Sequence, residues 1–118
     1  MNNEELKRRT KKFALQVIEA VNKFPRSMTG EIIGKQLMRS ATSVGANYRS
    51  ACRAKSHADF ISKLGIVEEE ADESLYWLEL AVDAKIMVDA DAAPLIKEAD
   101  ELTAIFTASR KTARSNKV

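Results

Sequence analysis

Three groups of side chains in this 118-residue chain have the types and spacing that chemistry needs. In the first, Arg39, Ser43 and Asn47 follow one another at four-residue intervals, and Glu70 and Glu73 stand three apart further along, with Trp77 one turn beyond. Such intervals stack side chains into rows on a helix. An arginine placed between two carboxylates makes charge-assisted hydrogen bonds, so this constellation reads as a network that sets helix register or a subunit contact; the alternative is a ligand or peptide pocket. The second group is the acidic run Glu68, Glu69, Glu70, Asp72 and Glu73. It invites comparison with di-iron bundles, but these draw ligands from Glu-x-x-His pairs, and the single His57 is not three residues after any glutamate. No metal and no cofactor are expected. The third group is Cys52 with His57, a thiol and the only imidazole. A cysteine nucleophile needs a base within hydrogen-bond reach, and His57 would have to fold back over a loop to supply it. The string GEIIGK falls short of the spacing of a phosphate-binding GxxxxGK[ST] loop. No catalytic residue emerges, and the chain is not expected to be an enzyme.

Charge supplies a second line of argument. The net charge is +2, but residues 1–56 hold twelve Lys/Arg against four Glu, residues 57–109 hold three against thirteen acids, and RKTARSNKV at the end is basic again. Basic and acidic helices of this kind attract one another within or between subunits, or the basic half meets nucleic acid. Lys7, Arg8, Lys11, Lys12, Lys35, Arg49 and Arg53 are the candidates for phosphate contact, with Arg9, Lys55 and the tail beside them. No aromatic residues are interleaved with them, which argues against base stacking. The lone cysteine allows no internal disulfide. The opening MNNEELKRRTKKF is charged where a secretion signal is apolar, and no apolar run is long enough to span a bilayer, so a cytoplasmic protein without a membrane partner is expected.

Long helices have to carry these rows. From Ser56 to Val88 there is neither proline nor a turn pair, and Phe60, Leu64, Val67, Ala71, Leu75, Leu78 and Val82 recur at three and four residues, which predicts one unbroken helix of roughly 45 Å. Ser56 with Asp59 resembles a capping box at its start. The row Ile66, Glu70, Glu73, Trp77, Leu80, Ala84 gives this helix a second, partly apolar side, more than a lone small bundle needs. A first helix is predicted from about Asn3 to Phe24, stopped by Pro25, and a second from about Gly30 to Ala54, capped by Ser27 or Thr29. In the second, Gly34, Ala41 and Gly45 leave a small-residue groove for a neighbouring helix or subunit. A fourth helix carries Leu95, Ala99, Leu102 and Phe106, with Asp91 as cap and Pro94 in the first turn, and fades by Arg110. The expected architecture is all-α: an up-and-down antiparallel four-helix bundle over residues 1–110, followed by a basic tail, 111–118, without ordered structure.

The string LMRSATSVGANYRSACRAKSHADFISKLGIVEEEADESLYWLEL resembles the four-helix bundle family of proteins encoded in intervening sequences of bacterial 23S ribosomal RNA genes. The marks are Arg39-x-Ala41-x-Ser43-Val44-x-x-Asn47, then Asp59-Phe60, Lys63-Leu64 and the acidic run into Tyr76-Trp77-Leu78, with a looser match over Phe13 to Phe106. Members commonly carry a glutamate shortly after the asparagine, where this chain has Ser50. The resemblance implies a left-handed bundle assembling as a homopentamer around a central channel, without enzyme activity. The chain is similar also to the pentameric accessory protein of diversity-generating retroelements, which binds a reverse transcriptase and nucleic acid. The expectation is therefore an oligomeric scaffold or interaction module, with an RNA- or DNA-binding accessory protein as the alternative and a partner protein in either case.

Overall fold

The structure, a computed structural model, describes residues 1–116. Helices α1 (Asn3–Val21), α2 (Met28–Cys52), α3 (His57–Asp83) and α4 (Asp89–Ser115) alternate in direction through three short loops and form a four-helix bundle. Its extents are 50 × 21 × 20 Å. Around the bundle α2 packs most closely on α3 and α3 on α4; α1 packs on α2 and meets α4 sparingly, and across the diagonal α2 reaches α4 through the Tyr48 and Phe106 rings, whose centroids are 5.2 Å apart. The predicted stripes supply the core. Phe13, Val17, Leu37, Val44, Leu64, Val67, Leu78, Leu102 and Phe106 lose all solvent contact or nearly so.

The starts of α2 and α3 follow from their caps. Ser27 Oγ accepts from the Gly30 amide at 3.0 Å, and Ser56 Oγ accepts from the Asp59 amide at 3.0 Å. Each satisfies an amide that has no partner inside the helix. The Asp59 carboxylate reaches one residue further back than a capping box requires and accepts from the Lys55 amide. The small-residue groove of α2 is filled by α1. A methyl on Gly34 would press on Val21 and Phe24, and one on Gly45 would press on Thr10.

Four boundaries differ from the sequence expectation by three residues or more, the first being the end of α1 at Val21 where Phe24 was expected. The third helix ends at Asp83, not Val88, because Lys85 turns to φ 61°. The Lys85 amide bonds Val82 O at 2.9 Å and the Ile86 amide bonds Ala81 O at 2.8 Å, the left-handed termination that glycine usually provides. The fourth helix starts at Asp89 behind Val88, with no side-chain cap; Asp91 lies in its first turn and Pro94 inside it. That helix also continues to Ser115. Residues 111–115, expected as an unordered tail, are its last turns, held by buried Ala113 and by the His57 ring nitrogen 2.7 Å from Ala113 O. Residues 117–118 lie outside the described part of that tail.

Candidate functional site

Two surfaces collect the residues that the sequence singles out. On the outer face of α2 and α3, Arg39 Nη1 donates to Glu70 Oε2 at 3.0 Å and Nη2 bonds Glu73 Oε2. The Trp77 indole N–H donates to the same Glu73 oxygen at 3.0 Å, and its ring meets Tyr76 edge-on at 5.0 Å. Bonding to Glu70 and then Glu73 holds the Arg39 guanidinium above its ordinary pKa. The Trp77 donor and then Arg39 hold the Glu73 carboxyl below its own. This is a charge-assisted network between two helices, and it leaves Arg39 half exposed. Ser43 and Asn47 do not join it: the Asn47 side-chain amide turns back to Ser43 O on its own helix at 2.8 Å. Ile32, seven residues before Arg39, and Ile66, seven before Glu73, stand on the same face, and both are exposed, as is Tyr76.

Beneath the network lies a contact that sequence reasoning missed. Ser40 and Ser74 are fully buried and join α2 to α3 through their hydroxyls at 2.9 Å. Ser74 Oγ donates to Ser40 Oγ, which donates in turn to Leu37 O, and Glu70 O, 2.8 Å from Ser74 Oγ, is the alternative acceptor for the one Ser74 proton. The available signal was a serine at a core position of each apolar row. Two ion pairs were missed as well. Arg9 forks onto Glu98 at 2.6 Å by both Nε and Nη2 and reaches Glu101 at 2.9 Å, which ties α1 to α4. Arg110 Nε lies 2.6 Å from Glu68, whose other oxygen accepts from the Thr107 hydroxyl; Arg110 and then Thr107 hold the Glu68 carboxyl below its usual value.

The second surface is basic. The run KRRTKK divides three ways as α1 turns about 100° per residue. Arg9 faces α4, Arg8 and Lys12 point outward, and Lys7 and Lys11 face α2. There they meet Arg49 and Arg53 along a groove of about 430 Å³ whose walls and floor are Ala14, Thr42, Gly45 and Ala46. Lys7 pairs loosely with Glu4 at 3.4 Å; Lys11, Arg49 and Arg53 have no carboxylate partner among the described residues. Lys35 is not part of this cluster. It lies 14 residues before Arg49, about 21 Å along α2, at the end of the bundle where Arg26 and Phe24 stand. On the opposite edge, between α3 and α4, Glu68, Glu69 and Asp72 line one groove together with Arg110 and Arg114, and Tyr76, Glu79 and Asp83 line another. The charge imbalance along the sequence has become a difference between two edges.

His57 Nε2 lies 2.7 Å from Ala113 O, and no hydrogen bond joins the imidazole to Cys52 among the described residues. Cys52 is partly buried beside Tyr48, whose hydroxyl donates to Asn3 Oδ1 at 3.1 Å and whose pKa is pushed up by burial and then by Cys52. Among the described residues no group of three or more His, Cys, Asp or Glu side chains converges as metal ligands, and no helix is long and apolar enough to cross a membrane.

The family model of the 23S rRNA-intervening sequence protein matches residues 2–108. The chain belongs to this family. The chain is also similar in structure to a protein from Bacteroides thetaiotaomicron VPI-5482, described as of unknown function and from the S23 ribosomal protein family. The two share 31% sequence identity with a TM-score of 0.86, over 94% of this chain and 99% of that one. No curated protein matches the chain. The family match spans α1 to α3, α4 as far as residue 108, and every residue of the α2–α3 network and the α1–α2 groove.

Proposed function

We propose that this family member is a non-enzymatic interaction module of the cytoplasm that works as a homo-oligomer, with the α2–α3 outer face against a second copy. The observation that carries the reading is the composition of that face: Ile32 and Ile66 stay exposed around a network whose charges already satisfy one another, and Tyr76, edge-on to Trp77, extends the exposed apolar surface toward α4. A face of this kind selects a partner by apolar complementarity more than by charge. Each copy brings the same residues, and the homopentamer that the resemblance implies is a ring in which one face of every copy meets a different face of the next. Light scattering at tens of micromolar tests this. A mass near five times 13.1 kDa is expected, falling to that of one chain in Ile66→Lys and Tyr76→Glu with helical content retained. A wild-type monomer at that concentration would overturn the proposal.

A second reading is favoured by one specific observation. Lys7, Lys11, Arg49 and Arg53 converge on a single groove with little internal neutralisation, which supports contact with the phosphates of RNA or DNA. The groove lies between α1 and α2, apart from the α2–α3 network, so an oligomer would present several copies of it and gain avidity along one nucleic-acid chain.

A further inference from the structure

We propose that the α1–α2 groove is a track for the backbone of one nucleic-acid strand, engaged through its phosphates and indifferent to base identity. The inference rests on the second reading above and adds the form of the ligand, its register and its stoichiometry of charge.

The geometry of the cations sets the register. Lys7 and Lys11 lie one above the other on α1, and Arg49 and Arg53 do the same on α2, each pair separated by four residues or about 6 Å of helix. Two short cationic rows therefore flank one furrow, so a strand lying along it meets positive charge on both sides. Its depth comes from small residues. Ala14, Gly45 and Ala46 put no bulk between the rows, and at Gly45 the helices approach so closely that a methyl would lie 3.3 Å from Thr10 Oγ1. The furrow is narrow. Packed helices sit about 8–10 Å apart, whereas a B-form duplex is broad enough for its own major groove to admit an entire helix. A single backbone enters such a furrow and a duplex rests on its rim.

The lining decides specificity. It contains no aromatic side chain on which a base could stack, and the Thr42 hydroxyl is turned to Met38 O on its own helix at 2.8 Å. Only the cations remain to address the ligand, and these read charge rather than sequence. Between α3 and α4, Arg110 and Arg114 offset the acids of one groove, while Glu79 and Asp83 line the other without a cation and repel phosphate there, which favours the α1–α2 side for a strand.

The charge count makes the proposal quantitative. Four cations neutralising four phosphates give a log–log salt slope of about −0.7 each for a single strand, close to −3 in total, so affinity falls about fifty-fold between 50 and 200 mM salt. Anisotropy with fluorescein-labelled oligo(dT) and oligo(U) of about 20 nucleotides, longer than one site, measures this for the full chain. Equal affinity for the two oligonucleotides and weaker binding of a duplex of the same length are expected. Lys11→Ala/Arg49→Ala should halve the slope to about −1.4 and weaken binding on the order of fifty-fold at 50 mM salt. Arg26→Ala/Lys35→Ala, which removes as much charge at the far end of the bundle, should leave the slope unchanged. If no oligonucleotide binds, the nucleic-acid reading itself fails. If the strand binds but both double variants lower the slope alike, or the duplex binds as tightly as the strand, that reading survives and the groove assignment is overturned. If Lys11→Ala/Arg49→Ala alters the oligomeric mass and not strand affinity, the groove is a protein contact and the proposal is overturned.

Discussion

The hydroxyl pair at the α2–α3 seam makes a sharp test of how this bundle sets its register. Ser40 and Ser74 are fully buried and 2.9 Å apart, and each also has a carbonyl within reach on its own helix. Removing either hydroxyl therefore deletes the bond across the seam without stranding the other. One neutral buried hydrogen bond contributes about 1 kcal/mol. With an unfolding entropy of about 2.1 cal/mol/K per residue over 118 residues, that corresponds to a loss of about 4 °C in Tm. The single variants Ser40→Ala and Ser74→Ala should each lose about this much. The double variant should lose in total about as much as either single, not their sum, because the shared bond is deleted only once; the coupling is then about 1 kcal/mol. Thermal and urea unfolding followed by circular dichroism measures the cycle, at several protein concentrations so that any contribution from assembly is separated. Additive losses would show that the two hydroxyls stabilise independently and would refute the claim that they lock α2 against α3.

Three further outcomes follow from particular residues. Lys85→Gly should raise stability by about 1 kcal/mol in the same melts, since glycine adopts the left-handed conformation of this position without a Cβ penalty. Gly30→Ala should lower it by about 2 kcal/mol, because a Cβ there collides with the Pro25 carbonyl, a rigid backbone group next to the α2 cap. Stability should fall on acidification. Glu68, Glu73 and Asp59 are held below their ordinary pKa values by Arg110, by the Trp77 indole and by the Lys55 amide respectively. The unfolded chain then binds more protons than the folded one, so this contribution is complete above the usual carboxylate range and is lost as pH drops through the lower folded-state values. Urea midpoints taken from pH 7 to pH 3 should show the decline, and Glu68→Gln should flatten it.

Much of the fold was legible because it rests on periodicity and caps. The rows through Leu37, Leu64 and Phe106 predicted the buried faces, and Ser27 and Ser56 marked helix starts by a mechanism visible in the residues themselves. The end of α3 was hidden because a lysine occupies a position at which glycine is the usual signal. The last turns of α4 were hidden for a different reason: a basic string lacks an apolar stripe, and Ala113, Arg110 and His57 acquire their partners only from the tertiary arrangement. The candidate surfaces divide in the same way. Arg39, Glu70, Glu73 and Trp77 could be matched by charge and spacing, whereas Ser43 and Asn47 were drawn into the row by spacing alone although local bonding claims Asn47. Which four of the basic residues share a groove depends on the rotation of α1 about its axis, which no pattern within one helix specifies.

The unequal packing of α1 has a consequence for how the molecule breathes. Toward α2 it is seated on the glycine notches, yet toward α4 its strongest tie is ionic, through Arg9 to Glu98 and Glu101. Partial opening should begin along the second seam, with α1 swinging on the first like a door on its hinge post. Deuterium uptake should accordingly reach the α1 amides before those of α3, and added electrolyte should hasten it there selectively.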